Sequence, residues 1–194
     1  MNSIENNLKE ILQKIESAEQ KYNRTKGTVK LLAVSKFHPV DAVEKAISAG
    51  HLLFGENRVQ EAVAKFSDIN SFNKDVELHI IGQLQTNKVK KAVSVASCIE
   101  SVDRIDLLKE IQKQCEKINK KIKILFEVNT AEDSKSGFKN YEDLYEAVKY
   151  CADGNTPFVE PIGFMTMAPL TDDEALIRKS FSSLRKKKKK LQTE

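Results

Sequence analysis

Lys36 closes an apolar run, Val29-Lys30-Leu31-Leu32-Ala33-Val34-Ser35-Lys36, just before Pro39, a favourable first residue for a helix. Five of those eight residues are apolar and two are β-branched valines. That composition predicts a central parallel strand, buried on both faces. A lysine at the carboxyl end of such a strand faces the rim where α/β folds place their chemistry. A primary amine sheltered there is a nucleophile, and an aldehyde cofactor would be captured as a Schiff base.

Other polar groups fall at matching places. Asn57 follows Gly55-Glu56, and Gly82-Gln83-Leu84-Gln85-Thr86-Asn87-Lys88 follows the next greasy run. Then come Ser101-Val102-Asp103-Arg104, Glu127-Val128-Asn129 and Gly163-Phe164-Met165-Thr166-Met167-Ala168-Pro169. Polar or glycine-bearing rims fed by apolar strands suit a ligand site at the carboxyl edge of a sheet. His38, His51 and His79 sit on separate segments without ligand spacing, so no metal site is expected. Cys98, Cys115 and Cys151 contain no C-x-x-C pair and read as reduced core fillers of a cytosolic protein.

These residues need elements to hold them. An opening helix carries Ile4, Leu8, Ile11, Leu12, Ile15 and Tyr22 at helical spacing, with Asn2 or Ser3 as cap. After Gly27 an alternation begins. Strands are predicted at 29–36, 51–54, 78–82, 98–102, 122–128 and 158–165. The helices after them run 39–50 (buried stripe Val40, Val43, Ile47), 59–66, about 87–96, from Asp103 as cap, 141–151, and a last one bearing Leu176, Phe181, Leu184 and Leu191. Six βα units imply a parallel sheet in one domain, residues 1–194. Two architectures fit: an open doubly wound sheet, or a (β/α)8 barrel lacking its final quarter. Ser35-Lys36-Phe37-His38-Pro39 is not a glycine-rich dinucleotide turn, and no P-loop is present.

The net charge of +4 is misleading, because Arg185 to Lys190 supply six positive charges by themselves. The basic excess lies in one run of the last helix, so no nucleic-acid partner is expected. No stretch approaches a membrane span and the start lacks a secretory pattern, so no membrane partner is expected and the cytoplasm is the expected compartment.

The chain resembles the YggS/PROSC family of pyridoxal phosphate homeostasis proteins, which share the barrel of the alanine racemase N-terminal domain. The resemblance rests on Leu32-Ala33-Val34-Ser35-Lys36, Phe54-Gly55-Glu56-Asn57 with Gln60-Glu61, and His79-Ile80-Ile81-Gly82 with Leu84-Gln85 and Asn87-Lys88. It continues through Ser101-Val102-Asp103-Arg104, Ser134-Lys135-Ser136-Gly137, and Gly163 with Met165 to Pro169. It implies a (β/α)8 barrel of alanine racemase type, six of eight units present, with an extra N-terminal helix. It also implies that Lys36 holds pyridoxal 5′-phosphate (PLP) as a covalent aldimine, with Asn57 near the phenolic oxygen and Met165 on the pyridine ring. Ser35 would steady the loop, while Lys88 and Lys135 read better as solvated loop lysines than as positive potential at the rim. The implied function is cytoplasmic buffering and delivery of PLP, to PLP-dependent apoenzymes, by a monomer without catalytic turnover.

The family continues with a seventh strand, a Gly-Ser-Thr turn and a Val-Arg-Ile-Gly strand that this sequence does not show after Glu194. A truncated chain that binds the cofactor weakly is therefore expected. Two rivals stand beside this reading. One is a PLP-dependent racemase or lyase with Glu56 or Asp103 as general base; the other is an interaction module working through the basic tail.

Overall fold

A computed structural model describes residues 3–130 and 136–193. In chain order the elements are α1 (Ile4–Lys21), β1 (Ala33–Val34), α2 (Val40–Ser48), β2 (Leu53–Glu56), α3 (Val59–Phe72) and β3 (Glu77–Ile80). A short 3-10 turn (Thr86–Lys88) leads into α4 (Val89–Val95), followed by β4 (Cys98–Val102), α5 (Ile105–Lys117), β5 (Ile122–Glu127), α6 (Tyr141–Ala152), β6 (Val159–Met165) and α7 (Glu174–Leu191).

All six strands are parallel and lie in sequence order, β1-β2-β3-β4-β5-β6. A doubly wound sheet would reverse its order at a switch point; an unreversed order is the winding of a β/α barrel. Among the described residues β1 and β6 each pair with one strand only.

Strand residues alternate between two faces. Phe54, Leu78, Ile80, Ile99, Ile124 and Phe126 turn to the helix side and are buried. They pack with Val43, Ala62, Phe66, Leu107, Leu108, Ile111 and Leu144 in one apolar cluster. The opposite, concave face carries Leu53, His79, Glu100, Glu127 and Met165. Helix starts follow capping chemistry: Ser3 Oγ accepts from Asn6 N, Asn140 Oδ1 from Asp143 N, and Asp173 Oδ1 from Ala175 N and Leu176 N.

The first strand differs from expectation. It is an edge strand rather than a central one, only Ala33 and Val34 join the ladder, and Val29 and Val34 are exposed. The preceding segment is held by a carboxylate instead: buried Glu19 of α1 accepts from Val29 N at 2.6 Å, Gly27 N at 2.9 Å and Thr28 Oγ1 at 3.2 Å. Those backbone bonds hold the Glu19 carboxyl below its ordinary pKa. On α1 only Ile4 and Leu8 reach the apolar cluster, and Ile11, Leu12 and Tyr22 are exposed. Val40 is exposed as well, its place on α2 taken by buried Ala46. Asp103 does not cap α5. Its carboxylate receives the Arg104 guanidinium, and Arg104 occupies the cap position without a side-chain capping bond.

Candidate functional site

Lys36 lies two residues beyond β1, half-buried in a tight turn. Both neighbours of Lys36 are clamped from behind. Ser35 Oγ donates to Glu56 Oε1 at 2.7 Å, and Lys65 Nζ of α3 donates to Ser35 O at 2.8 Å and Glu56 Oε1 at 2.9 Å. On the other side Phe37 N donates to Glu61 Oε2 at 3.3 Å. Phe37 sits at φ 65°, the left-handed region that a bulky side chain avoids, and is 76% exposed. Such strain costs roughly 1–3 kcal/mol and persists only where the surroundings fix it. Here Glu56, Glu61 and Lys65 do the fixing, so the expectation that Ser35 steadies the loop acquires a mechanism.

In front of Lys36 the concave face of the sheet encloses a cavity of about 750 Å³. Lys30, Leu32, Val34 and Lys36 form one wall; Asn57, His79, Ile81, Gly82 and Glu100 form the floor and rim; Glu127, Ser136, Met165 and Met167 close the far side. Thus Lys36, Asn57 and Met165, from three different βα units, line one space. Close backbone approach shapes its rim. A Cβ at Gly82 would overlap Asn57 O and lie 2.8 Å from Asn57 Cα, so only glycine lets these two loops meet.

The polar groups inside are paired unevenly. His79 Nδ1 lies 2.6 Å from Glu100 Oε1, while His79 Nε2 is buried without a hydrogen-bond partner among the described residues. Glu127, 3% exposed, accepts from Ser136 Oγ at 2.5 Å through Oε1, and its Oε2 is likewise buried without a partner. Burial pushes the Glu127 carboxyl above its ordinary pKa, the Ser136 bond opposes this, and Asp103 adds to it.

Other sequence-predicted groups lie elsewhere. Glu56 is fully buried on the helix side of β2 and Asp103 is bound to Arg104, so neither lines the cavity. Lys88, on the 3-10 turn, does not line it either, and Lys135 lies outside the described residues. Cys98 and Cys115 are buried, their thiols raised by burial to about 12 and about 11, as fits core fillers. The basic run lies within α7, where Lys187 Nζ reaches Asn129 O at 3.5 Å and Lys190 Nζ sits 3.7 Å from the centre of the Tyr141 ring. Among the described residues no cluster of His, Cys, Asp and Glu could hold a metal ion.

Residues 3–194 match the family described as alanine racemase, N-terminal domain. A pyridoxal phosphate homeostasis protein of Aquifex aeolicus is 35% identical over 194 residues, 100% of this chain and 83% of its own length. The chain belongs to the pyridoxal phosphate homeostasis protein family. Its fold is accordingly the α/β barrel type of the alanine racemase N-terminal domain, with six βα units in sequence order. A crystal structure of a protein from Bifidobacterium adolescentis superposes with a TM-score of 0.87 at 33% identity, covering 95% of this chain and 77% of that one. PipY of Synechococcus elongatus, solved with PLP bound, superposes with a TM-score of 0.79 at 31% identity, covering 94% and 82%. In this family member the donor set at the cavity suits an aldehyde cofactor: an amine, a side-chain amide and a thioether converge on one space. Among the described residues its lining carries two lysines, Lys30 and Lys36, and no arginine.

Glu100 and Lys65 are functional candidates that no sequence signal singles out, while Glu127 and His79 stand in the strand-end and motif segments without a role assigned to them. His79 has no ligand spacing, but it sits two residues from Glu77 and Ile81 in a strand, and that alternation assigns it to the concave face.

Proposed function

We propose that this protein binds pyridoxal 5′-phosphate at the Lys36 cavity and holds it for delivery to PLP-dependent apoenzymes, as a carrier without turnover. The observation that carries the reading is the convergence of Lys36, Asn57 and Met165 on one cavity of about 750 Å³ in a chain of this family. The bound cofactor would supply an electrophilic aldehyde carbon and an electron-withdrawing ring. Lys36 Nζ is the nucleophile for that carbon, held at the rim because Ser35 and Phe37 are fixed on either side. Asn57 offers its amide to a phenolic oxygen, and Met165 lays a polarizable thioether against a ring face. Leu32, Val34 and Ile81 give the cavity's wall and floor apolar surface. The names of the relatives support a homeostatic role, and PipY supports the ligand. The carrier is read as a cytoplasmic monomer; no described helix is long and apolar enough to cross a membrane.

A near-visible absorbance titration with PLP tests this. A saturable band is expected for the protein and none for Lys36→Ala; equal bands in both would refute it. Incubation with amino acids in deuterated water should give no sustained α-proton exchange, and sustained exchange would favour a racemase.

A further inference from the structure

We propose that Glu127 is the acid–base group of this cavity, moving a proton between Lys36 Nζ and a primary amine that takes the aldehyde away. The proposal rests on the carrier reading above and names the chemistry of release. Glu127 stands at the end of β5, on the concave face, lining the same cavity as Lys36. Its Oε1 is held by Ser136 Oγ at 2.5 Å, so the carboxyl has a fixed orientation. Its Oε2 is buried with no hydrogen-bond partner among the described residues, an arrangement that calls for a ligand atom.

The other carboxylates nearby are engaged. Glu100 meets His79, Glu56 meets Ser35 and Lys65, and Asp103 meets Arg104. Among the described residues the charged and titratable groups facing Glu127 are Lys30, Lys36, His79 and Glu100 across the cavity and Asp103 behind it. Burial raises the Glu127 carboxyl, bringing its exchange of protons closer to neutral pH than an exposed glutamate would allow.

The step balances without an oxidant or reductant. An incoming neutral amine adds to the carbon of the protonated imine held by Lys36, so that a carbon–nitrogen double bond to the incoming nitrogen forms as the one to Nζ breaks. One of the two protons on the incoming nitrogen passes to ionised Glu127 Oε2 and from there to Nζ; the other stays on the new imine, Nζ leaves as a neutral amine, and Glu127 ends as it began. The recipient is a primary amine, either a free one or the ε-amine of a protein lysine.

Two measurements on the full chain test this. In cofactor-free protein carrying 13C-labelled glutamate, the carboxyl signal absent from Glu127→Gln should titrate above the ordinary value of about 4.3. Titration at or below that value would overturn the proposal. In loaded protein, release to methylamine and to an N-acetylated lysine peptide is followed by absorbance, with each rate scaled to that protein's own borohydride-trapped Lys36 adduct. Glu127→Gln should slow release at least tenfold. Ser136→Ala removes a bond that lowers the carboxyl's pKa, so it should move the midpoint of the rate's pH profile upward. Whichever recipient is faster identifies the source of the amine. Equal rates in Glu127→Gln and the unaltered chain would overturn this proposal alone, whereas no trapped Lys36 adduct in the unaltered chain would overturn the carrier reading with it.

Discussion

Behind Lys36, the Glu56 carboxylate is fully buried and Lys65 is its cation, 12% exposed. Removing one member of a buried pair strands the other charge, so Lys65→Met should cost roughly 3–5 kcal/mol of stability in urea unfolding, far more than a lysine-to-methionine change at an exposed site. Glu127 carries the opposite sign. Because its carboxyl is raised in the folded chain, the unfolded chain ionises first, and stability is lost as pH climbs through the folded value. Glu127→Gln should therefore be more stable than the unaltered chain near about pH 8, with the difference vanishing below about pH 4, where both states are protonated. Denaturant midpoints across that range check it. The places of Lys36, Asn57 and Met165 on the cavity rim were legible in the sequence because each lies at or just past the carboxyl end of an apolar run. The roles of Lys65, His79, Glu100 and Glu127 depend on neighbours 9 to 30 residues distant, and single-chain spacing does not encode those pairings.

Among the elements, β4 and β6 fall almost where apolar runs and turn residues place them, since their ladders are formed on both sides or along seven residues. β1 does not. Its apolar run reads as a full strand, yet with one neighbour its ladder shrinks to Ala33 and Val34, and Glu19 takes over the backbone donors of residues 27 and 29. Apolar content reports burial tendency; ladder length depends on what lies alongside. The loop after β3 is set by contact, not by polarity. Gly82→Ala would push the Asn57 backbone away, at a cost of roughly 1–3 kcal/mol in stability and with a measurable loss of cofactor affinity. Unchanged affinity in a titration of that variant would show that the Asn57 loop is not part of the site.

On the scale of the molecule, six strands wound in one direction leave the sheet with two outer strands, β1 and β6. Exposed apolar side chains stand on or close in sequence to both: Val34, Phe37 and Val40 for β1, Ile162 and Met167 for β6. Among the described residues the cavity between them is lined by two lysines and no arginine, a sparse set for a phosphate group. PLP should accordingly bind this chain more weakly than it binds PipY in parallel spectroscopic titrations; equal affinity would mean that the described lining suffices. The most direct test is chemical. After incubation with PLP and borohydride reduction, peptide mapping should place one stable adduct on Lys36. No adduct at that residue, or adducts scattered over Lys186 to Lys190, would contradict the account.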